Sequence, residues 1–177
     1  GARRPRSDAP RTCAALTVIA TSASSGARCS CVHASDAISG RLVVNELPGV
    51  LMILNHPLWD IEMVGKERHE QLLKDVIREH GRWIHAFEVN GFRSWSENKA
   101  VIEMAEALGI PMATGGDRHG CRPNTVINLS NGRTFEEFVE EIRVDKRSEV
   151  VLMPEYRYPL HSRQMQSFGE ILTHYPQ

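Results

Sequence analysis

From residue 41 onward, short apolar runs alternate with stretches whose apolar residues recur at helical spacing. GVLMILNHP (49–57) follows Pro48 as an almost unbroken apolar run, the pattern of a strand buried on both faces. Residues 67–80, ERHEQLLKDVIREH, put Leu72, Leu73, Val76 and Ile77 on one helical face, and Gly81 supplies a stop. WIHAFEV (83–89) predicts a second strand. Ser94 and Glu97 have capping-box spacing, and the helix they open carries Val101, Ala105 and Leu108 on one stripe until Gly109. IPMAT (110–114) predicts a third strand and TVINL (125–129) a fourth. Thr134 and Glu137 repeat the capping spacing ahead of Phe135, Phe138, Val139 and Ile142, and EVVLMP (149–154) is the last strand-like run. The C-terminal YRYPLHSRQMQSFGEILTHYPQ predicts a turn at Pro159 and a final helix. Strands alternating with amphipathic helices predict an α/β fold with parallel pairing. Three regions follow: an atypical leader over 1–40, an α/β domain over 41–155, and a C-terminal turn and helix over 156–177.

The polar residues fall at the strand ends. The first strand ends in Asn55 and His56, the second in Glu88 and Asn90, and the third, after two glycines, in Asp117, Arg118 and His119. In parallel α/β folds the carboxyl ends of the strands share one side and form the active-site face. Three clusters spaced about thirty residues apart are therefore expected to converge.

Each cluster has its own chemistry. Asp117 and His119 are two apart, so in extended backbone both side chains share a face and reach a common cation. Carboxylate with neutral imidazole suits zinc, manganese or iron. Gly115, Gly116 and Gly120 allow close backbone approach. Arg118 has the forked donor geometry for a phosphate. A plain turn with a surface histidine would look the same in isolation. Pro57 keeps His56 out of right-handed helical geometry, which fixes how the ring is presented. Trp59 reads as a pocket wall or loop packing. Glu88 lies inside a strand, and a buried carboxylate requires a partner or a cation. It reads as a group that orients a ligand or as a structural residue, with direct metal contact as a further reading; Asn90 reads as one that ties down the loop backbone, and Asn55 as a further supporting residue. His69, His80, His85, His161 and His174 are left outside the site, and Glu136, Glu137, Glu140 and Glu141 read as a solvated helix face.

Bulk properties narrow the class. The formal net charge is -1, so no global pull towards nucleic acid or anionic lipid exists, although a local basic site for nucleic acid is not excluded. No apolar stretch approaches the roughly 18 residues of a membrane span, so a cytoplasmic protein is expected. Three of the four cysteines, Cys13, Cys29 and Cys31, lie in the first 31 residues, so they cannot staple the whole fold. The run Cys29, Cys31, His33 has neither the usual zinc spacing nor a second half. Residues 1–35 are rich in Ala, Ser and Arg with Asp8 as their sole acid. They read as a flexible or misread leader, with a targeting segment as the competing reading.

NHP at 55–57, FEVNG at 87–91 and GGDRHG at 115–120, in this order, resemble the C-terminal half of a polymerase-and-histidinol-phosphatase (PHP) domain. Such domains are distorted (β/α)7 barrels that bind two or three zinc, manganese or iron ions at the strand ends, and many hydrolyse phosphate esters. The resemblance spans roughly residues 41–155. It implies that His56 is a metal ligand from the family's late His motif, and that Asp117 and His119 are the pair of its final Asp-x-His motif. The family's opening H-x-H pair has no counterpart in this sequence, and the recognisable strands fall short of seven. The resemblance therefore implies a partial barrel, truncated at the N-terminus and carrying an incomplete site.

The leading expectation is hydrolysis of a small phosphorylated substrate with a divalent metal cofactor (Zn, Mn or Fe) in the intact parent protein. His56, Asp117 and His119 hold the metal, Arg118 steadies the phosphate, and Glu88, Asn90 and Asn55 support the ligands. The alternative is a non-catalytic remnant serving as a structural or partner-binding domain, prone to self-association through an open sheet edge. A third reading is hydrolysis of a C–N bond on a related metal barrel.

Overall fold

Five strands form the main sheet, in the order β2 (Arg28–His33), β1 (Ala15–Ala20), β3 (Val50–Asn55), β4 (Ala86–Asn90) and β5 (Met112–Gly115). The computed structural model describes residues 15–20, 28–33, 50–59, 61–115 and 125–174. β3, β4 and β5 pair in parallel, as the strand–helix alternation predicts. β1 pairs antiparallel with both β2 and β3. The sheet therefore reaches back into the segment that composition sets apart as a leader.

Helices cover both faces of this sheet. α1 (Ile61–Val64) is a single turn, followed by α2 (Lys66–His80) and then α3 (Trp95–Leu108) and α4 (Phe135–Arg143). Alternation along the strands assigns the faces. Val50, Met52 and Leu54 of β3 join Phe87 and Val89 of β4 in one cluster with Val101 and Ala105 of α3, and Leu73, Val76 and Ile77 of α2 pack against it. Leu51, Ile53, Ala86 and Ala113 point the other way and meet Val139 and Ile142 of α4. Leu51, Leu54, Ala86, Phe87 and Val89 are wholly buried, so both faces of the parallel strands are dry.

Among the described residues the strands of the expected partial barrel form a sheet that does not close. The inside of a closed (β/α) barrel is filled by side chains of the strands themselves. Here a helix occupies that face, and among the described residues the sheet is open. TVINL and EVVLMP also depart from the expected parallel series. They form β6 (Val126–Leu129) and β7 (Glu149–Leu152), an antiparallel pair separate from the main sheet. The fold is mixed α/β, with a small parallel sheet extended by antiparallel strands and a two-stranded antiparallel sheet.

The junction between the two sheets is closed by side chains. Asn128 Oδ1 accepts from the Thr114 N–H at 2.7 Å, and Ser148 Oγ donates to the Met112 carbonyl. Asn128 Nδ2 donates to Ser148 Oγ at 2.9 Å. These groups bond to the backbone of β5 on the side where a further strand would pair.

The caps follow the sequence. Ser94 Oγ and Thr134 Oγ1 each accept from the N–H three residues on, and Gly109 ends α3 at φ 63 in the left-handed conformation. WIHAFEV is strand only from Ala86, because Gly81–Trp83 forms a turn of 3₁₀ helix. After a second 3₁₀ turn (Pro154–Arg157), α5 (Leu160–His174) runs to the end of the described chain. α5 inverts the usual polarity: Arg163 and Ser167 are buried, whereas Met165, Phe168 and Leu172 are exposed. Among the described residues no helix is long and apolar enough to cross a membrane.

Candidate functional site

β3 and β4 run parallel with Leu54 beside Phe87, so their carboxyl ends emerge together. His56 follows β3 directly and Glu88 lies near the end of β4. Glu88 is buried at 3% side-chain exposure, and its Oε2 lies 2.7 Å from His56 Nδ1. The same oxygen accepts the His56 backbone N–H at 3.0 Å. Glu88 Oε1 accepts from Asn90 Nδ2 at 3.1 Å. The buried carboxylate therefore has the partners that its environment demands.

This geometry selects a tautomer. Asn90 Nδ2 also approaches His56 Nδ1, at 3.2 Å. An amide NH2 only donates, and a carboxylate only accepts. Glu88 at 2.7 Å is the shorter contact, so Nδ1 carries the proton and points it at the carboxylate. Nε2 then carries the lone pair, as a metal-binding histidine oriented by a carboxylate requires.

The backbone at His56 is equally constrained. Its φ is 46, in the left-handed region that non-glycine residues seldom occupy. The expectation that Pro57 would exclude right-handed helical geometry is met by this conformation. The Trp59 N–H donates to the His56 carbonyl at 3.0 Å and closes the turn. Trp59 is half exposed, with its ring edge-on to the imidazole at 6.2 Å. The Arg93 guanidinium lies 5.2 Å from the centre of the Trp59 ring and 3.6 Å from Glu97. Burial raises Glu97 above its ordinary carboxylate value, opposed by the positive charge of Arg93 and by His56. The mouth of the site is thus a mixed field of Glu62, Glu88, Glu97, Arg93 and His56.

Asn90 ties this cluster to the following loop. Its Oδ1 accepts from the Phe92 N–H at 2.7 Å. Its backbone N–H and carbonyl are both held by the Asn98 side chain, at 3.0 and 2.8 Å. Asn98 is buried on the inward stripe of α3 with Val101 and Ala105. Asn55 ends β3 opposite Ala15 of β1.

Asp117, Arg118 and His119 lie outside the described residues. Gly115, the last described residue before them, pairs with Asn90. Among the described residues no group of three His, Cys, Asp or Glu side chains could hold a metal ion.

Two of the histidines left outside the site are buried, and one glutamate sits differently from its sequence reading. His85 is buried, and its Nδ1 accepts from the Met52 N–H at 2.9 Å while its own N–H donates to the Met52 carbonyl at 2.9 Å. Burial, reinforced by Arg143 and Lys146, pushes it down to about 4. His69 is buried in α2 and not on its outer face. Glu141 is not part of a solvated face. It accepts from Ser130, from the Asn131 side chain and backbone at 3.0 Å, and from Arg147 at 2.8 Å. Those hydrogen bonds, led by Ser130 and Asn131, hold it at about 2.

No family model, curated protein or solved structure matches the chain.

Proposed function

We propose that the chain belongs to a metal-dependent phosphoester hydrolase of the PHP type, with His56, Asp117 and His119 as ligands and Arg118 steadying the phosphate. The supporting observation is the His56–Glu88 pair at the carboxyl end of the parallel strands, 2.7 Å from Nδ1 to Oε2. The donor types fit a borderline divalent ion: an imidazole oriented through its other nitrogen, and, at 117 and 119 of the sequence, a carboxylate and an imidazole two residues apart. A divalent ion bound there supplies an acidified water and a clamp for phosphate oxygens. The chain's own residues do the rest. Glu88 holds the proton on Nδ1 and its negative charge makes Nε2 a stronger donor. Asn90 fixes Glu88, and Arg118 supplies paired N–H donors for an oxyanion.

The test uses the full 177-residue chain. It is titrated with Mn²⁺ and Zn²⁺ by calorimetry and assayed against p-nitrophenyl phosphate. Stoichiometric binding, lost in His56→Ala and in Asp117→Ala, is expected, with hydrolysis following the bound metal. A chain that neither binds these ions nor cleaves the ester overturns the proposal in favour of a structural or partner-binding domain.

A further inference from the structure

The last residue of β4, Asn90, and Arg93 in the loop that follows both face the site, yet the anchor of that loop comes from α5. Arg163 of α5 is only 4% exposed. Its NH1 donates to the Gly91 carbonyl, its NH2 to the Arg93 carbonyl at 3.2 Å, and its Nε to the Tyr158 carbonyl at 3.0 Å. The guanidinium also lies over the Tyr156 ring, 4.3 Å from its centre. Tyr156 adds a second tie: its hydroxyl donates to the Arg93 carbonyl at 3.0 Å and accepts from Asn98 Nδ2 at 2.7 Å. Asn98 in turn holds the Asn90 backbone, and Asn90 holds Glu88.

We infer that Arg163 and Tyr156 are positioning residues of the His56–Glu88 site, acting through the carbonyls of residues 91 and 93. A buried guanidinium offers five donors in a rigid plane, and here that plane meets carbonyls from two separate segments. An ammonium is a compact point charge and cannot span the same set. A guanidinium serving only its own segment would need only the Tyr158 carbonyl. Instead it reaches the residues flanking Phe92, whose N–H closes the turn onto Asn90 Oδ1. The metal arm of the inference rests on the proposed function; the positional arm does not.

Hydrogen exchange on the full chain separates the two. In Arg163→Lys, the amides of Asn90, Phe92 and His56 are expected to exchange roughly tenfold faster, while those of Val139 and Ile142 in α4 keep their rates. Tyr156→Phe, which deletes only the hydroxyl, gives the same pattern more weakly and serves if the lysine variant does not fold. Arg157→Ala, an exposed neighbour, changes none of these rates. In the same variants Mn²⁺ binds about tenfold more weakly than to the unsubstituted chain, the size expected for loss of a supporting group. Unchanged rates at Asn90 and Phe92, or an equal rise throughout the protein, overturn the inference. If the unsubstituted chain binds no Mn²⁺, the metal reading falls and the exchange pattern alone decides the positioning role.

Discussion

One oxygen of Glu88 holds His56 twice, taking its backbone N–H at 3.0 Å and its ring Nδ1 at 2.7 Å. Main chain and side chain of the histidine are therefore set by the same buried carboxylate. Glu88→Gln keeps an oxygen acceptor but removes the charge, so Mn²⁺ affinity is expected to fall 10- to 100-fold with little loss of stability. Glu88→Ala leaves three donors, the His56 backbone N–H, the His56 Nδ1–H and Asn90 Nδ2, without this acceptor. It is expected to cost about 1–3 kcal/mol per orphaned group, read as a lower urea midpoint. Equal metal affinity in wild type and Glu88→Gln would exclude the orienting role.

His85 predicts a pH-dependent stability. Its folded value of about 4 lies below its ordinary 6.5. Between those values the unfolded chain takes up a proton at this residue and the folded chain does not. Its contribution is thus complete above pH 6.5 and is lost as the pH falls towards 4, with a limiting slope of about 1.4 kcal/mol per pH unit. His85→Asn does not titrate, so its urea midpoint is expected to change less between pH 7 and pH 4.5. Parallel curves for the two proteins would refute this assignment.

A second titration lies further into acid. Glu141 is held at about 2 against an ordinary 4.5. Its stabilisation is present above pH 4.5 and disappears as the pH falls towards 2. Glu141→Gln is therefore less stable than wild type at pH 5, and the gap narrows by pH 2.5. Paired thermal melts at the two pH values measure it, and a gap that stays constant counts against the carboxylate's role.

The edge of β5 predicts an effect on association. Asn128→Val removes the acceptor of the Thr114 N–H and frees strand backbone for pairing. Size-exclusion chromatography is expected to show more dimer or larger species in the variant than in wild type at the same concentration. Identical elution profiles would mean that Asn128 does not guard the edge.

Local signals were readable from the sequence. The unbroken burial of Val50–Leu54, the serine and threonine caps at 94 and 134, and the stop at Gly109 depend on neighbours within a few residues, and the structure has them in place. The meeting of His56 with Glu88 was also legible, because parallel strands bring their carboxyl ends to one side. Pairing direction was not. TVINL carries the same apolar run whether it joins a parallel sheet or turns back on EVVLMP, so the β6–β7 pair could not be told from a fourth parallel strand. Glu141 looked solvated because helical spacing alone cannot reveal Ser130, Asn131 and Arg147 gathering around it. Asn98 gave a usable signal that went unread, since it shares a stripe with Val101 and Ala105 and so had to be buried. Arg163 gave none: its partners are backbone carbonyls, which leave no trace in residue type.

The span of that last contact sets an order of assembly. Arg163 and Gly91 are 72 residues apart. Closing so long a loop costs chain entropy that short-range helices and turns do not. The residue after β3 and the strand β4 supply the His56–Glu88–Asn90 cluster, so that cluster can form before α5 arrives. The carbonyls of residues 91 and 93 gain their guanidinium only when α5 docks. During synthesis the strand ends therefore emerge first as a loosely held cluster, and α5 must leave the ribosome before the loop locks.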